Sequence, residues 1–376
     1  MAGVSVGVWS SAEWRADAVA WLDWRLRAAG RSRTGEVDQP RLRPWGTVLS
    51  APTDRGRVWL KVPGPGNAAE IELHGLLAHV VPELVPGLLA ADSADGRLLL
   101  ADGGIVLSRH SDGPELVDVL ASALPRYARL QRALMPYAEK MLTAGVPDMR
   151  VEALPARFDQ ALRAAAYSTP DARGAPDARG ARDFTGTRPA IAGEAVGQSE
   201  QEGATAEIRA IAGLRETVAG WCERLGRSVV PPTVDHNDLH ADNILVDGDD
   251  VHADSVLAGG PGRIRFADWG DAVVGHPFAG MKITLGALAH REGLAADDPV
   301  IVGLRDAYLG EFSDLAPHAT LVGELELACR LAAIIGPLTW ERALTGAGPD
   351  EARRYADGPL RRLRALTAGS WLTLSS

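Results

Sequence analysis

Val234-Asp235-His236-Asn237-Asp238-Leu239-His240-Ala241-Asp242-Asn243-Ile244-Leu245-Val246 and, about twenty residues on, Ile264-Arg265-Phe266-Ala267-Asp268-Trp269-Gly270 are the stretches whose reading decides the fold. From His236 to Asn243 two histidines, two aspartates and two asparagines lie within eight residues, ahead of an apolar run at 244–246. Asp247-Gly248-Asp249-Asp250 begins a turn. A loop feeding one strand, a turn, and an acid at the end of the return strand bring Asn243 and Asp268 close together. An amide oxygen and a carboxylate are hard ligands suited to Mg2+, which keeps waters and recruits phosphate oxygens. Asp238, five residues before Asn243, can accept a proton from a hydroxyl nucleophile. Phosphoryl transfer asks for this set: a metal across the phosphates, one carboxylate to orient the attacking hydroxyl, and otherwise positioning and neutralisation.

The spacing His236-x-Asp238-x-x-x-x-Asn243 followed by Asp268 resembles the catalytic loop and metal-binding segment of the aminoglycoside phosphotransferase family, the protein-kinase-like small-molecule kinases. The strings HNDLHADNILV and FADWGDA are similar to that family's two segments. The resemblance implies a catalytic base at Asp238, magnesium ligands at Asn243 and Asp268, and His236 as support of the loop, with His240 beside it. It also implies an α+β, bilobal protein-kinase-like fold, with a small β-rich front lobe and a larger, mainly helical back lobe. The lobes are expected over 1–100 and 106–376, with a hinge at 101–105 and a mobile insertion at 166–206. Asp271 either lines the acceptor site or caps the next helix.

The front half agrees with that resemblance. Val58-Trp59-Leu60-Lys61 is an apolar strand ending in lysine. In such a family that lysine contacts the α- and β-phosphates of the nucleotide and is held by a glutamate from the next helix. Glu70 is preferred for that role by its phase, with Glu72 in reserve. The backbone from Ala101 to Gly103 would meet adenine. No Gly-x-Gly-x-x-Gly precedes Lys61; the candidate turn is Pro44-Trp45-Gly46-Thr47, and the phosphate cover stays unassigned.

Around these motifs the chain reads as a helix over 10–29, with a Ser10–Glu13 capping box and Trp14, Ala18, Trp21, Leu22 and Leu26 on one face. A hairpin follows, 47–51 against 58–62, then a helix over 68–80 and a strand over 97–100. Helices are expected over 115–124, 126–142, 154–165, 207–225, 319–344 and 350–366. The repeated PDARGA at 170–175 and 176–181 marks 166–206 as a low-complexity loop.

The 376 residues, 46% hydrophobic and 23% charged, suffice for two lobes, and no apolar run approaches the roughly 20 residues of a membrane span. The net charge of −10 argues against nucleic acid or an anionic membrane as partner and leans towards a small cationic acceptor. Two cysteines, Cys222 and Cys329, give no disulfide framework, and no secretory signal is visible, so a reduced, cytoplasmic protein is expected. Of 39 basic residues only three are lysines, Lys61, Lys140 and Lys282, which makes each lysine a question.

His236 and His240, four apart, invite zinc, but the metalloprotease pattern needs glutamate after the first histidine and Asn237 stands there. Trp340 and Glu341, on a late helix near Pro337, are candidates to reach the acceptor pocket, with core packing the preferred reading of Trp340. The expected activity is transfer of a phosphoryl group from ATP or GTP, with Mg2+, to a hydroxyl of a small molecule. An aminoglycoside, another antibiotic or an amino sugar is the acceptor that the resemblance favours, with antibiotic resistance as the corresponding role. The alternative is a catalytically idle nucleotide-binding or scaffold protein on the same fold, and a protein kinase stands third.

Overall fold

The computed structural model describes residues 6–168, 198–247 and 264–374. Two helices open it, α1 (Val6–Trp9) and α2 (Ala12–Ala28). A five-stranded antiparallel sheet follows, built of β1 (Asp38–Arg43), β2 (Gly46–Thr53), β3 (Gly56–Pro63), β4 (Leu88–Asp92) and β5 (Arg97–Ala101) in the order β1-β2-β3-β5-β4. Helix α3 (Ala69–Val80) crosses between β3 and β4. Strand alternation divides β3: Val58, Leu60 and Val62 join Ala18, Trp21, Leu22 and Leu26 of α2 in one core, which turns Lys61 to the opposite face.

The remainder is mainly helical, so the expected α+β architecture with a sheet-rich front is what the chain adopts. Strand β6 (Ile105–Val106) leads through α4 (Leu107–His110) into α5 (Gly113–Leu134), α6 (Ala138–Thr143), β7 (Asp148–Met149) and α7 (Leu154–Ser168). Then come α8 (Gln198–Ala212), α9 (Arg215–Leu225), and strands β8 (Thr233–Asp235), β9 (Ile244–Val246), β10 (Ile264–Phe266) and β11 (Val273–Gly275). Helices α10 (Met281–Glu292), α11 (Pro299–Gly310), α12 (His318–Leu331), α13 (Ile335–Ala343), α14 (Pro349–Arg353) and α15 (Gly358–Leu363) close the fold. The hairpin expected to carry the polar cluster is β9 against β10, with Ile244 opposite Phe266, and β6 adds to its free edge. Among the described residues no helix is long and apolar enough to cross a membrane.

Several local expectations are corrected. The cap of α2 is Ser11, whose hydroxyl accepts from the Trp14 amide, and not a Ser10–Glu13 box. The breaks read at Pro125 and between 165 and 207 are misplaced. Helix α5 runs through Pro125, because its buried face from Leu116 to Leu134 outweighs the roughly 3 kcal/mol that an interior proline costs. Helix α7 extends to Ser168 and α8 begins at Gln198, so both ends of the expected loop 166–206 are helical. The rest of that loop and turn residues 248–250 lie outside the described residues. Strands β1 and β4 were not visible in the sequence. As edge strands they carry little apolar alternation, and Pro40 on β1 is tolerated only at an edge.

The turn after β3 packs against α13 with no room to spare. A Cβ on Gly66 would stand 2.0 Å from the carbonyl oxygen of Arg342. Gly66→Ala is therefore expected to cost about 1–3 kcal/mol, since backbone on both sides must shift. Thermal unfolding followed by circular dichroism measures it; an unchanged midpoint contradicts the packing described.

Candidate active site

Strand β8 delivers the loop from a buried anchor. The Tyr127 hydroxyl donates to Asp235 Oδ1 at 3.2 Å and accepts from the His236 amide at 2.9 Å, while the Asn237 amide also donates to Asp235 Oδ1 at 3.2 Å. Burial pushes the Asp235 carboxyl up to about 7, and backbone N–H groups and Tyr127 pull against that rise. Beneath it Gln131, fully buried on α5, donates to the carbonyls of Val234 and Pro277 and accepts from the Tyr308 hydroxyl. Asn237 then turns the chain with φ +58°, held by its side-chain amide donating to Thr339 Oγ1 at 2.9 Å. Asparagine is among the few residues that take this left-handed conformation cheaply.

The turn presents Asp238, and the next residues fix it. Asn243 Nδ2 donates to the Asp238 carbonyl at 2.9 Å and lies 3.3 Å from Asp238 Oδ2. His240 Nε2 lies 3.3 Å from the same carboxylate oxygen. Burial pushes the His240 imidazole down, but the Asp238 and Asp242 carboxylates outweigh it and raise it overall. His236 is different: burial lowers it, and its Nε2–H donates to the Ala267 carbonyl at 2.8 Å. The Ala267 amide returns a bond to the Asn243 carbonyl at 2.9 Å, which ties the two polar segments together. His236 thus spends a ring nitrogen on backbone, and the i, i+4 pair of histidines sits on a loop.

Asp268 also adopts a left-handed conformation, φ +65°, where the chain leaves β10. Its Oδ1 accepts from Lys61 Nζ and its Oδ2 accepts from Arg41 Nη1 at 2.7 Å. Lys61 Nζ also donates to Glu70 Oε1 at 2.5 Å. Glu72 is exposed on α3 and accepts from the Ser93 hydroxyl. Burial pushes Asp268 up, but Lys61 and Arg41 outweigh it and hold the carboxyl well below the usual range. Burial likewise opposes charge on Lys61 and is outweighed by Asp268 and Glu70, so the ammonium is raised. For Glu70 burial wins and its carboxyl is raised.

Arg41 was missed in the sequence. Register explains its reach: Arg41 pairs with Val48 and Val48 with Lys61, and residues opposite one another on antiparallel strands share a face. One cavity gathers Arg41, Lys61, Glu70, Asp238, Asp268 and Asp271 under the β1–β2 turn. A second, beside it, is lined by Asn237, Asp238, Asp271, Thr339 and Trp340. Asp271 faces both and does not cap α10, which begins ten residues later. Burial, and after it the Asp238 carboxylate, pushes Asp271 up to about 7. Trp340 is buried, stacked on Tyr355 at 5.2 Å and edge-on to Trp45 at 5.9 Å. Glu341 is exposed and accepts from Gln160, away from these cavities.

At the expected hinge, the Ala101 amide donates to the Gly87 carbonyl at 2.8 Å and the Gly103 carbonyl accepts from Arg265 at 2.8 Å. Those two groups are thus occupied. No group of three or more His, Cys, Asp and Glu side chains gathers to hold a metal among the described residues. The donor set nonetheless suits Mg2+: the side-chain nitrogen of Asn243 is turned to Asp238, leaving a hard amide oxygen for a cation, and Asp268 is an ionised carboxylate.

Helix α3, which carries Glu70, is pinned by His74, whose buried Nε2–H donates to the Pro86 carbonyl at 2.9 Å. Burial pushes this imidazole from 6.5 down to about 4. In the unfolded chain it titrates at its ordinary value, so between those limits the unfolded state binds the extra proton. The contribution of His74 is therefore complete above pH 6.5 and is lost as pH falls towards 4, by up to about 1.4 kcal/mol per pH unit. His74→Gln keeps an amide donor and cannot titrate. Urea unfolding of both proteins between pH 7 and 4.5 should show the wild type losing ground to the variant; parallel profiles contradict it.

No protein-family model matches the chain, and no curated protein matches it in sequence. Solved structures do match. An ethanolamine kinase from Plasmodium vivax superposes with a TM-score of 0.55 at 12% identity, over 88% of this chain and 82% of that one. A choline kinase from Cryptosporidium parvum gives 0.53 at 12%, over 88% of each chain. A spectinomycin phosphotransferase solved with ADP and spectinomycin gives 0.52 at 10%, over 93% of this chain and 97% of that one. The fold of this chain is that of the protein-kinase-like small-molecule kinases.

Proposed function

We propose that this chain transfers the γ-phosphoryl group of ATP or GTP to a hydroxyl of a small molecule. The observation that carries the reading is the sharing of Asp268 between Lys61 and Arg41 in the cavity that also holds Asp238. Two cations from the front sheet and two acids from the back converge where a triphosphate and an alcohol would meet. The front lobe over 1–100, the hinge over 101–105 and the back lobe over 106–376 would close on the nucleotide, with its base against the backbone around Ala101 and Gly103.

In this reading Lys61, braced by Glu70, orients the α- and β-phosphates, and Arg41 adds charge where a glycine loop is missing. Asn243 and Asp268 would hold Mg2+, which neutralises charge developing on the transferred group. Asp238 accepts the acceptor's hydroxyl proton, with His240 close to the same carboxylate oxygen. His236 fixes the loop to Ala267, and Asp271 lies on the acceptor side. The acceptor is a small hydroxylated compound such as an antibiotic, an amino sugar or an amino alcohol, the first and the last by analogy with what the structural neighbours are named for.

The test is a panel of such compounds with Mg2+ and ATP or GTP. The expected result is acceptor-dependent formation of nucleoside diphosphate and a product one phosphoryl group heavier. Nucleotide binding without acceptor-dependent turnover across the panel would favour the idle nucleotide-binding protein instead.

A further inference from the structure

The sequence raises the question of why a chain so poor in lysine keeps Lys282. The side chain is buried on α10, and its ammonium donates to the backbone carbonyls of Trp371 at 3.2 Å and Thr373 at 2.8 Å. Trp371 and Leu372 lie in a turn, and irregular backbone pressed against a helix needs donors. Lys282 supplies them. Upstream, Arg330 of α12 donates to the carbonyls of Ala368 and Gly369. Gly286, one turn beyond Lys282, completes the seat: a Cβ there would stand 2.9 Å from both the Leu372 carbonyl oxygen and Leu374 Cγ.

The residues between these anchors face the chemistry. Ile283 lines both the Thr339–Trp340 cavity and a larger one of about 430 Å3 on the other side of Asp238, beside His240. Leu374 also lines both, and Asp238 opens onto both. Thr284 Oγ1 donates to the Leu239 carbonyl at 2.6 Å, next to Asp238 in the chain. One stretch of α10 therefore holds the segment 370–374, walls two cavities and anchors the loop bearing the candidate base.

We infer that the segment 370–374 is a partition of the acceptor site, that Leu374 sets the size of acceptor that reaches Asp238, and that Lys282 positions this partition. The inference rests on the phosphotransferase reading above. With Leu374 in place the two cavities are separate bays; shortening it joins them, and enlarging it fills the wider bay.

The experiment compares wild type, Leu374→Ala, Leu374→Trp and Lys282→Met on a size-graded set of hydroxylated acceptors with MgATP. Leu374→Ala is expected to shift relative kcat/KM towards bulkier acceptors by about tenfold, the scale on which a hydrophobic pocket discriminates. Leu374→Trp shifts it the other way, and Lys282→Met, which frees the segment, follows Leu374→Ala. Acceptor KM should carry the change, while the KM and Kd for MgATP stay within about twofold, a split that mere loosening of the fold would not produce. Unchanged relative kcat/KM in both Leu374 variants, with native circular dichroism, overturns the partition. A wild type that binds MgATP yet phosphorylates nothing defeats the phosphotransferase reading itself, and the partition falls with it.

Discussion

Asp238→Asn is expected to lower acceptor-dependent phosphoryl transfer by roughly 10²–10⁴-fold, the span that a positioned general base contributes. Nucleotide affinity should stay near the parental value. The substitution is nearly isosteric, and it leaves alone two bonds that order the loop, from Asn243 to the backbone carbonyl of residue 238 at 2.9 Å and from Thr284 to that of Leu239 at 2.6 Å. What disappears is the carboxylate oxygen that lies 3.3 Å from both His240 Nε2 and Asn243 Nδ2. The variant therefore separates binding from chemistry. Turnover at the parental rate with nucleotide still bound would show that another group takes the proton.

Lys61→Met is expected to have an effect of similar size on catalysis and a second one on stability. The ammonium joins a glutamate on α3 to an aspartate that follows β10, across the two halves of the molecule. Its loss leaves Glu70, 3% exposed, with a buried carboxylate and no cation against it. Breaking a buried pair from one side costs about 3–5 kcal/mol, and Glu70 lies at the low end of that range because burial already raises its carboxyl towards the neutral form. Asp268 keeps Arg41, so its own loss is partial. We expect kcat/KM for MgATP to fall at least about a hundredfold, the unfolding free energy to fall by about 3 kcal/mol, and Glu70→Gln alone to cost less in both. Full nucleotide affinity and turnover in Lys61→Met would remove the lysine from the site.

Much of the site was legible because chemistry-bearing residues came in a fixed order within a short reach of chain. Asp238 and Asn243 sit in one loop, Asp268 one strand later, and Lys61 stood out as a rare lysine ending an apolar strand. Arg41 was illegible for the opposite reason: arginine is common here, its strand is polar, and its partner is 227 positions away. The anchoring of 370–374 by Lys282 spans about ninety residues and had no local signature. Gln131 and Tyr127, which hold the loop from below, were missed in the sequence; polar atoms on the apolar face of α5 are the signal that could have found them. Local stop signals misled where burial dominated. Pro125 reads as a break, yet the packed face carries the helix through it, and the low-complexity composition around 198–206 did not prevent a helix there. The choice between Ser10 and Ser11 as cap turned on one residue of phase, which periodicity does not resolve.

The convergence of Asn243, Asp268 and Lys61 on one nucleotide is tested most directly by following free Mn2+, as a stand-in for Mg2+, by electron paramagnetic resonance while ATP is titrated into the protein. Wild type is expected to take up Mn2+ together with ATP, and Asp268→Asn to lose that uptake. Uptake of the Mn2+–nucleotide pair that is equal in wild type and Asp268→Asn would contradict the account.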